Sequence, residues 1–97
     1  MNMIHVIATI PVQAGKGDEF EKVFSGLGAQ VRANEPGCKR YEFCKSLDRP
    51  DHYVVVELYE DQESFDAHGK TEYFRAAGKE FGGLMAGAPD IQIVVQD

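Results

Sequence analysis

His68 and Glu57 are the side chains of this sequence best suited to moving a proton. His68 is the only one of the three histidines that falls in a helical segment beside strands that could form a pocket. A neutral imidazole takes up a proton near neutral pH, so a histidine in a cleft can serve as a general base. Glu57 interrupts the apolar run Val54-Val55-Val56 and precedes Leu58-Tyr59. A carboxylate in such a strand is costly to bury unless it is paired or protonated. One partner is His68, which Glu57 would orient and hold charged; a raised pKa would make Glu57 itself a base. The alternatives are structural. Glu57 could pair with an arginine or with backbone N–H groups, and His68 could cap a helix end or bond a neighbouring strand.

Tyr41, Tyr59, Tyr73 and Phe74 could wall a pocket shaped for an aromatic molecule, although aromatic side chains at strand and helix positions commonly belong to the core. Arg40 and Arg75 could hold an anionic group or lie solvated at the surface. His5, His52 and His68 are scattered, with no carboxylate at fixed spacing, so no metal site is expected. Gly15-Lys16-Gly17 is too short for a phosphate loop and reads as a turn. On one extended strand, Cys38 and Cys44 would stand roughly 20 Å apart, too far for a bridge, so two reduced packing cysteines are expected.

The elements that must position these groups follow from periodicity. Residues 3–12 are β-branched and apolar in both parities, as in a strand covered on both faces. After the break at Gly15-Lys16-Gly17, Asp18 and Glu19 suit a helix N-terminus. Phe20, Val23, Phe24, Leu27 and Val31 then repeat at helical spacing. Glu35-Pro36-Gly37 ends that helix. Residues 38–46 and 52–60 read as a hairpin. Asp61 can cap a short helix through Phe65 to His68, and Thr71 a second one carrying Phe74, Ala77, Phe81 and Leu84 or Met85. Residues 90–95 form a last strand. The order β-α-β-β-α-β is the ferredoxin-like α+β pattern. Its helices cover one face of a four-stranded sheet. Strands apolar on both faces need a second cover, and a second copy of the chain is the simplest.

Length and charge agree with this reading. Ninety-seven residues make a single domain, 1–97, with a modest core. A net charge of −6 without a basic cluster argues against nucleic acid and against an anionic membrane surface. The opening Met1-Asn2-Met3-Ile4-His5 lacks the basic start and apolar run of a signal peptide, so a cytoplasmic location is expected.

The strand after Met3, the turn Glu35-Pro36-Gly37-Cys38 with Tyr41 downstream, Val55-Val56-Glu57-Leu58-Tyr59, and Ser64-Phe65-Asp66-Ala67-His68 followed by residues 71–74 together resemble the antibiotic-biosynthesis monooxygenase family. The resemblance covers essentially the whole chain. Its more specific parts are the E-P-G-C turn and a glutamate followed eleven residues later by histidine. It implies a dimeric α+β barrel, and an oxygenase of small aromatic diols or quinols that uses molecular oxygen and no metal or flavin cofactor. In that chemistry His68 would take a proton from a phenolic hydroxyl, Glu57 would be its partner, and Tyr41, Tyr59, Tyr73 and Phe74 would line the substrate. The electron-rich anion could then reduce oxygen directly. The family's heme-degrading branch fits poorly: its ligating histidine, tryptophan and asparagine would fall on Gly78, His68 and Ala8. An isomerase of a small hydroxyketone or sugar phosphate, using the same base, and a non-catalytic ligand-binding dimer remain open.

Overall fold

The structure, a computed structural model, describes residues 2–97; the reading of the chain's opening at Met1 lies outside them. The elements run β1 (Met3–Pro11), α1 (Gly17–Asn34), β2 (Cys38–Lys45), β3 (His52–Tyr59), α2 (Gln62–His68), α3 (Glu72–Gly82) and β4 (Asp90–Gln96). The expected ferredoxin-like α+β order is present, with the second helical region divided after His68. Both caps there act as the sequence implies. The Asp61 side chain accepts from Ser64 N–H, and the Thr71 hydroxyl accepts from Phe74 N–H.

The four strands form one antiparallel sheet in the order β2-β3-β1-β4. Register sets which side chains share a face. Tyr41, Glu57, Val6 and Ile93 form one row across the sheet, and Phe43, Val55, Ala8 and Ile91 form the next. This is the helix-covered face, on which Ile4, Val6, Ala8, Tyr41, Val55 and Tyr59 are buried. The opposite face carries Ile7, Val54, Val56 and Leu58, all half-buried, and no helix among the described residues lies over it.

α1 turns Phe20, Phe24, Leu27 and Val31 onto the sheet, close to the stripe its spacing predicts. Fully burying each such side chain is worth about 1.5–3 kcal/mol. Phe24 stacks on Tyr41 with ring centroids 5.1 Å apart, and Phe20 packs on Tyr53 at 4.5 Å. A smaller cluster of Ile4, Val6 and Tyr59, with Phe65 against it, lies under α2. β4 is less well covered: Ile91, Ile93 and Val95 are each more than half exposed, although register puts them on the helix side. Among the described residues no helix is long and apolar enough to cross a membrane. Cys38 and Cys44 are free.

The link between α1 and β2 determines how closely α2 can approach. Glu35 N–H donates to Val31 C=O at 2.9 Å, Cys38 N–H to Glu35 C=O at 3.0 Å, and Glu60 N–H to Gly37 C=O at 2.8 Å. These bonds press Gly37 against α2. A Cβ at Gly37 would fall on the Ser64 hydroxyl and lie 2.8 Å from Ser64 Cβ. Gly37→Ala should therefore destabilise the chain by about 1–3 kcal/mol in urea or thermal unfolding. The double variant G37A/S64G should recover part of that loss. An unchanged midpoint for Gly37→Ala would show that the turn and α2 separate freely.

Candidate active site

His68 is the last residue of α2 and is 3% exposed. Its carbonyl accepts from the Thr71 hydroxyl at 2.9 Å, which ties the end of α2 to the start of α3. The ring points inward, between the two clusters of the core. Tyr41 lies 5.1 Å away by centroid, Tyr59 5.6 Å and Phe74 4.7 Å. Three of the four expected aromatic walls therefore surround the imidazole. They come from β2, β3 and α3, so the surroundings of the imidazole depend on the register of the hairpin as well as on the helix pair.

The fourth, Tyr73, is turned elsewhere: its hydroxyl donates to Glu35 Oε2. Glu35 is also the residue that meets His68. Nδ1 stands 3.0 Å from Glu35 Oε1 and 3.1 Å from Oε2. The sequence reading treats Glu35 only as part of a helix-ending turn and offers Glu57 as the partner of His68. The structure gives the Nδ1 contact to Glu35. The far side of the ring is free: Nε2 is buried and has no hydrogen-bond partner among the described residues. Buried polar atoms are nearly always satisfied, so such an orphan points to a missing partner such as a substrate or water.

Glu57 has a different partner. Its Oε1 accepts from the Tyr59 hydroxyl at 2.5 Å. The side chains of residues 57 and 59 share a strand face, which puts hydroxyl and carboxyl within reach. Burial raises the Glu57 pKa above the ordinary carboxylate value, while the Tyr59 hydrogen bond and the His68 charge pull it partly back. Burial likewise raises the Tyr41 and Tyr59 hydroxyl pKa values, so both remain protonated. The Cys38 thiol, beside the site, is pushed up to about 11 by burial. It is a neutral neighbour and no nucleophile at ordinary pH.

Two further expectations can be placed. Arg40 lies outside the pocket, 2.5 Å from Glu42 through Nε, and Arg75 is exposed beside Glu72. Among the described residues no three His, Cys, Asp or Glu side chains gather as a metal site. A groove of about 890 Å³ runs between α1 and α3 past Val23, Leu27, Tyr73 and Ala77, and its lining does not include His68.

The family model for antibiotic biosynthesis monooxygenases matches residues 3–80. The chain belongs to that family. A candidate antibiotic biosynthesis monooxygenase from Caulobacter crescentus CB15 is 48% identical, with a TM-score of 0.94, over 96% of this chain and 88% of that one. A conserved protein from Methanosarcina mazei Go1 (24% identity, TM-score 0.88, 97% and 92% coverage) has the same fold. So has a Nitrosomonas europaea protein assigned to the family (23%, 0.91, 97% and 89%). Among curated proteins none matches significantly. Membership of the antibiotic biosynthesis monooxygenase family supports a monooxygenase-type oxidoreductase acting on a small molecule.

The raised Glu57 pKa has a consequence for stability. A carboxyl kept neutral by folding stabilises the folded chain fully below its unfolded value, near 4.5, and that contribution is lost as pH rises through the raised folded value. Part of the fall in thermal midpoint as pH rises above about 4.5 should thus be due to Glu57. Glu57→Gln, which can still accept from Tyr59, should flatten that part and be the more stable chain at the alkaline end. Equal slopes for the two chains would place the neutral carboxyl elsewhere.

Proposed function

We propose that the chain is a cofactor-independent monooxygenase that oxidises a small aromatic diol or quinol with molecular oxygen, and that it works as a homodimer. The observation that carries this reading is the buried His68 ring, packed against Tyr41, Tyr59 and Phe74, with Nδ1 occupied by Glu35 and Nε2 without a partner among the described residues. Those faces suit a flat aromatic substrate, and Nε2 is the basic atom they surround.

In this reading Nε2 removes a hydroxyl proton from the ring. The resulting anion is electron-rich enough to pass an electron to oxygen, so the substrate is its own reductant. The reaction balances on substrate and oxygen alone. One oxygen atom enters the ring as a carbonyl, and the other leaves as water with two hydrogens from the substrate. Glu57, on the same sheet face, has its pKa raised by burial, which favours the neutral hydrogen-bonding form over a second negative charge beside the anion. Tyr41 and Tyr59 are protonated walls.

The dimer is supported by two uncovered apolar surfaces: the sheet face of Ile7, Val54, Val56 and Leu58, and the strand edge of Ile91, Ile93 and Val95. A second copy packed face to face on the sheet would cover the first of these by two-fold symmetry. Free cysteines suit a reducing compartment such as the cytoplasm.

Purified protein should consume oxygen above the autoxidation rate with at least one member of a panel of quinols and hydroxylated naphthalenes. His68→Asn keeps an N–H donor for Glu35 but has no base, and should lower that rate by roughly 10²- to 10⁴-fold. An oxygen trace that stays at autoxidation across the panel would move the site to an oxygen-independent isomerase or a ligand-binding module. Light scattering should return twice the 10.8 kDa of one chain. A mass of one chain at micromolar concentration would end the dimer reading.

A further inference from the structure

We propose that Glu35 and Tyr73 are positioning residues that decide which nitrogen of His68 is free: the Glu35 carboxylate keeps the proton on Nδ1, and the Tyr73 hydroxyl holds the carboxylate. The consequence for catalysis rests on the reading of His68 as the base. The positioning itself does not.

Four observations carry it. Both oxygens of Glu35 lie within hydrogen-bond distance of Nδ1, at 3.0 and 3.1 Å, and a carboxylate can only accept there. The Tyr73 hydroxyl donates to Oε2 of the same carboxylate. The backbone of Glu35 is fixed on both sides, by its N–H to Val31 and its C=O from Cys38. The other carboxyl of the pocket is engaged separately, since Glu57 accepts from Tyr59. Each carboxyl thus has its own tyrosine, and among the described residues Glu35 is the carboxyl bonded to the imidazole. Tyr73, with its hydroxyl pushed up to about 12 by burial and by Glu35, stays a donor and does not compete as a base. In a neutral ring with its proton on Nδ1, Nε2 carries the lone pair. That nitrogen is the buried one with no hydrogen-bond partner among the described residues.

The arrangement predicts an unusual pair of variants. In Glu35→Gln the amide oxygen is taken by the Tyr73 hydroxyl, so the NH₂ turns to His68. An NH₂ can only donate, and the ring must then present a lone pair at Nδ1 and carry its proton on Nε2. Adding Tyr73→Phe releases the amide, which can turn its oxygen back to Nδ1–H. The first substitution should invert the tautomer and the second should restore it.

The test is ¹⁵N imidazole spectroscopy on histidine-labelled protein, with His68→Asn identifying the His68 signals. The wild-type chain should show neutral His68 protonated on Nδ1. Glu35→Gln should shift the proton to Nε2, with His5 and His52 unchanged as a check on folding, and E35Q/Y73F should return it. If substrate turnover is measured, kcat should fall by roughly 10²-fold in Glu35→Gln with KM nearly constant, and should partly recover in the double variant. A wild-type His68 protonated on Nε2 would overturn the proposal, and that spectrum decides even if Glu35→Gln fails to fold. So would a folded Glu35→Gln chain that keeps the wild-type tautomer. The predicted spectra without oxygen uptake would sink the oxygenase reading and leave the positioning intact. Uptake with an unmoved tautomer would do the reverse.

Discussion

The contact between Glu35 and His68 organises this molecule. The two side chains are 12% and 4% exposed, so neither can rely on water for its hydrogen bonds. Removing one partner of a buried pair leaves the other uncompensated, at a cost of about 3–5 kcal/mol. The chain therefore has to bring the end of α1 and the end of α2 together, and the surrounding features serve that meeting. The turn after α1 is closed by backbone hydrogen bonds, Gly37 lets α2 come close, and Thr71 ties the carbonyl of His68 to the next helix.

The pair also joins two parts of the core. Phe24 on α1 stacks on Tyr41, Tyr41 packs on His68, and His68 packs on Tyr59, which belongs to the smaller cluster under α2. The path from the main core to the site is a continuous run of rings. Close packing of this kind transmits small displacements, because cores do not deform freely. The position of Nε2 is accordingly set by elements far apart in sequence: the hairpin, the first helix and the two short helices.

The sheet has two different roles on its two sides. On the helix side, Glu57, Tyr59 and Tyr41 lie in adjacent rows of register with buried aliphatic neighbours. The other side is mixed, with Ile7, Val54, Val56 and Leu58 between Thr9, Glu42 and Arg40. A face of that composition is neither a finished core nor an ordinary solvated surface. It lies on the opposite side of the sheet from His68 and the helices.

Local physics wrote much of this protein directly into the sequence. The helical stripe from Phe20 to Val31, the caps at Asp61 and Thr71, the breaks at Gly15 and Pro36 and the alternation of the strands each act within a few residues, and the element order follows from them. His68 and three of its aromatic neighbours were legible for the same reason: a titratable ring at a helix end, near strands rich in tyrosine. The carboxylate that meets His68 was not. Glu57 stands eleven residues from it and Glu35 stands 33 away, so proximity along the chain favoured the wrong partner. Tertiary structure decided otherwise, because strand alternation pairs Glu57 with Tyr59 while the close approach at Gly37 brings Glu35 to Nδ1. A turn sequence such as E-P-G-C shows where a helix stops; only the packing of α2 against that turn shows what its glutamate is for.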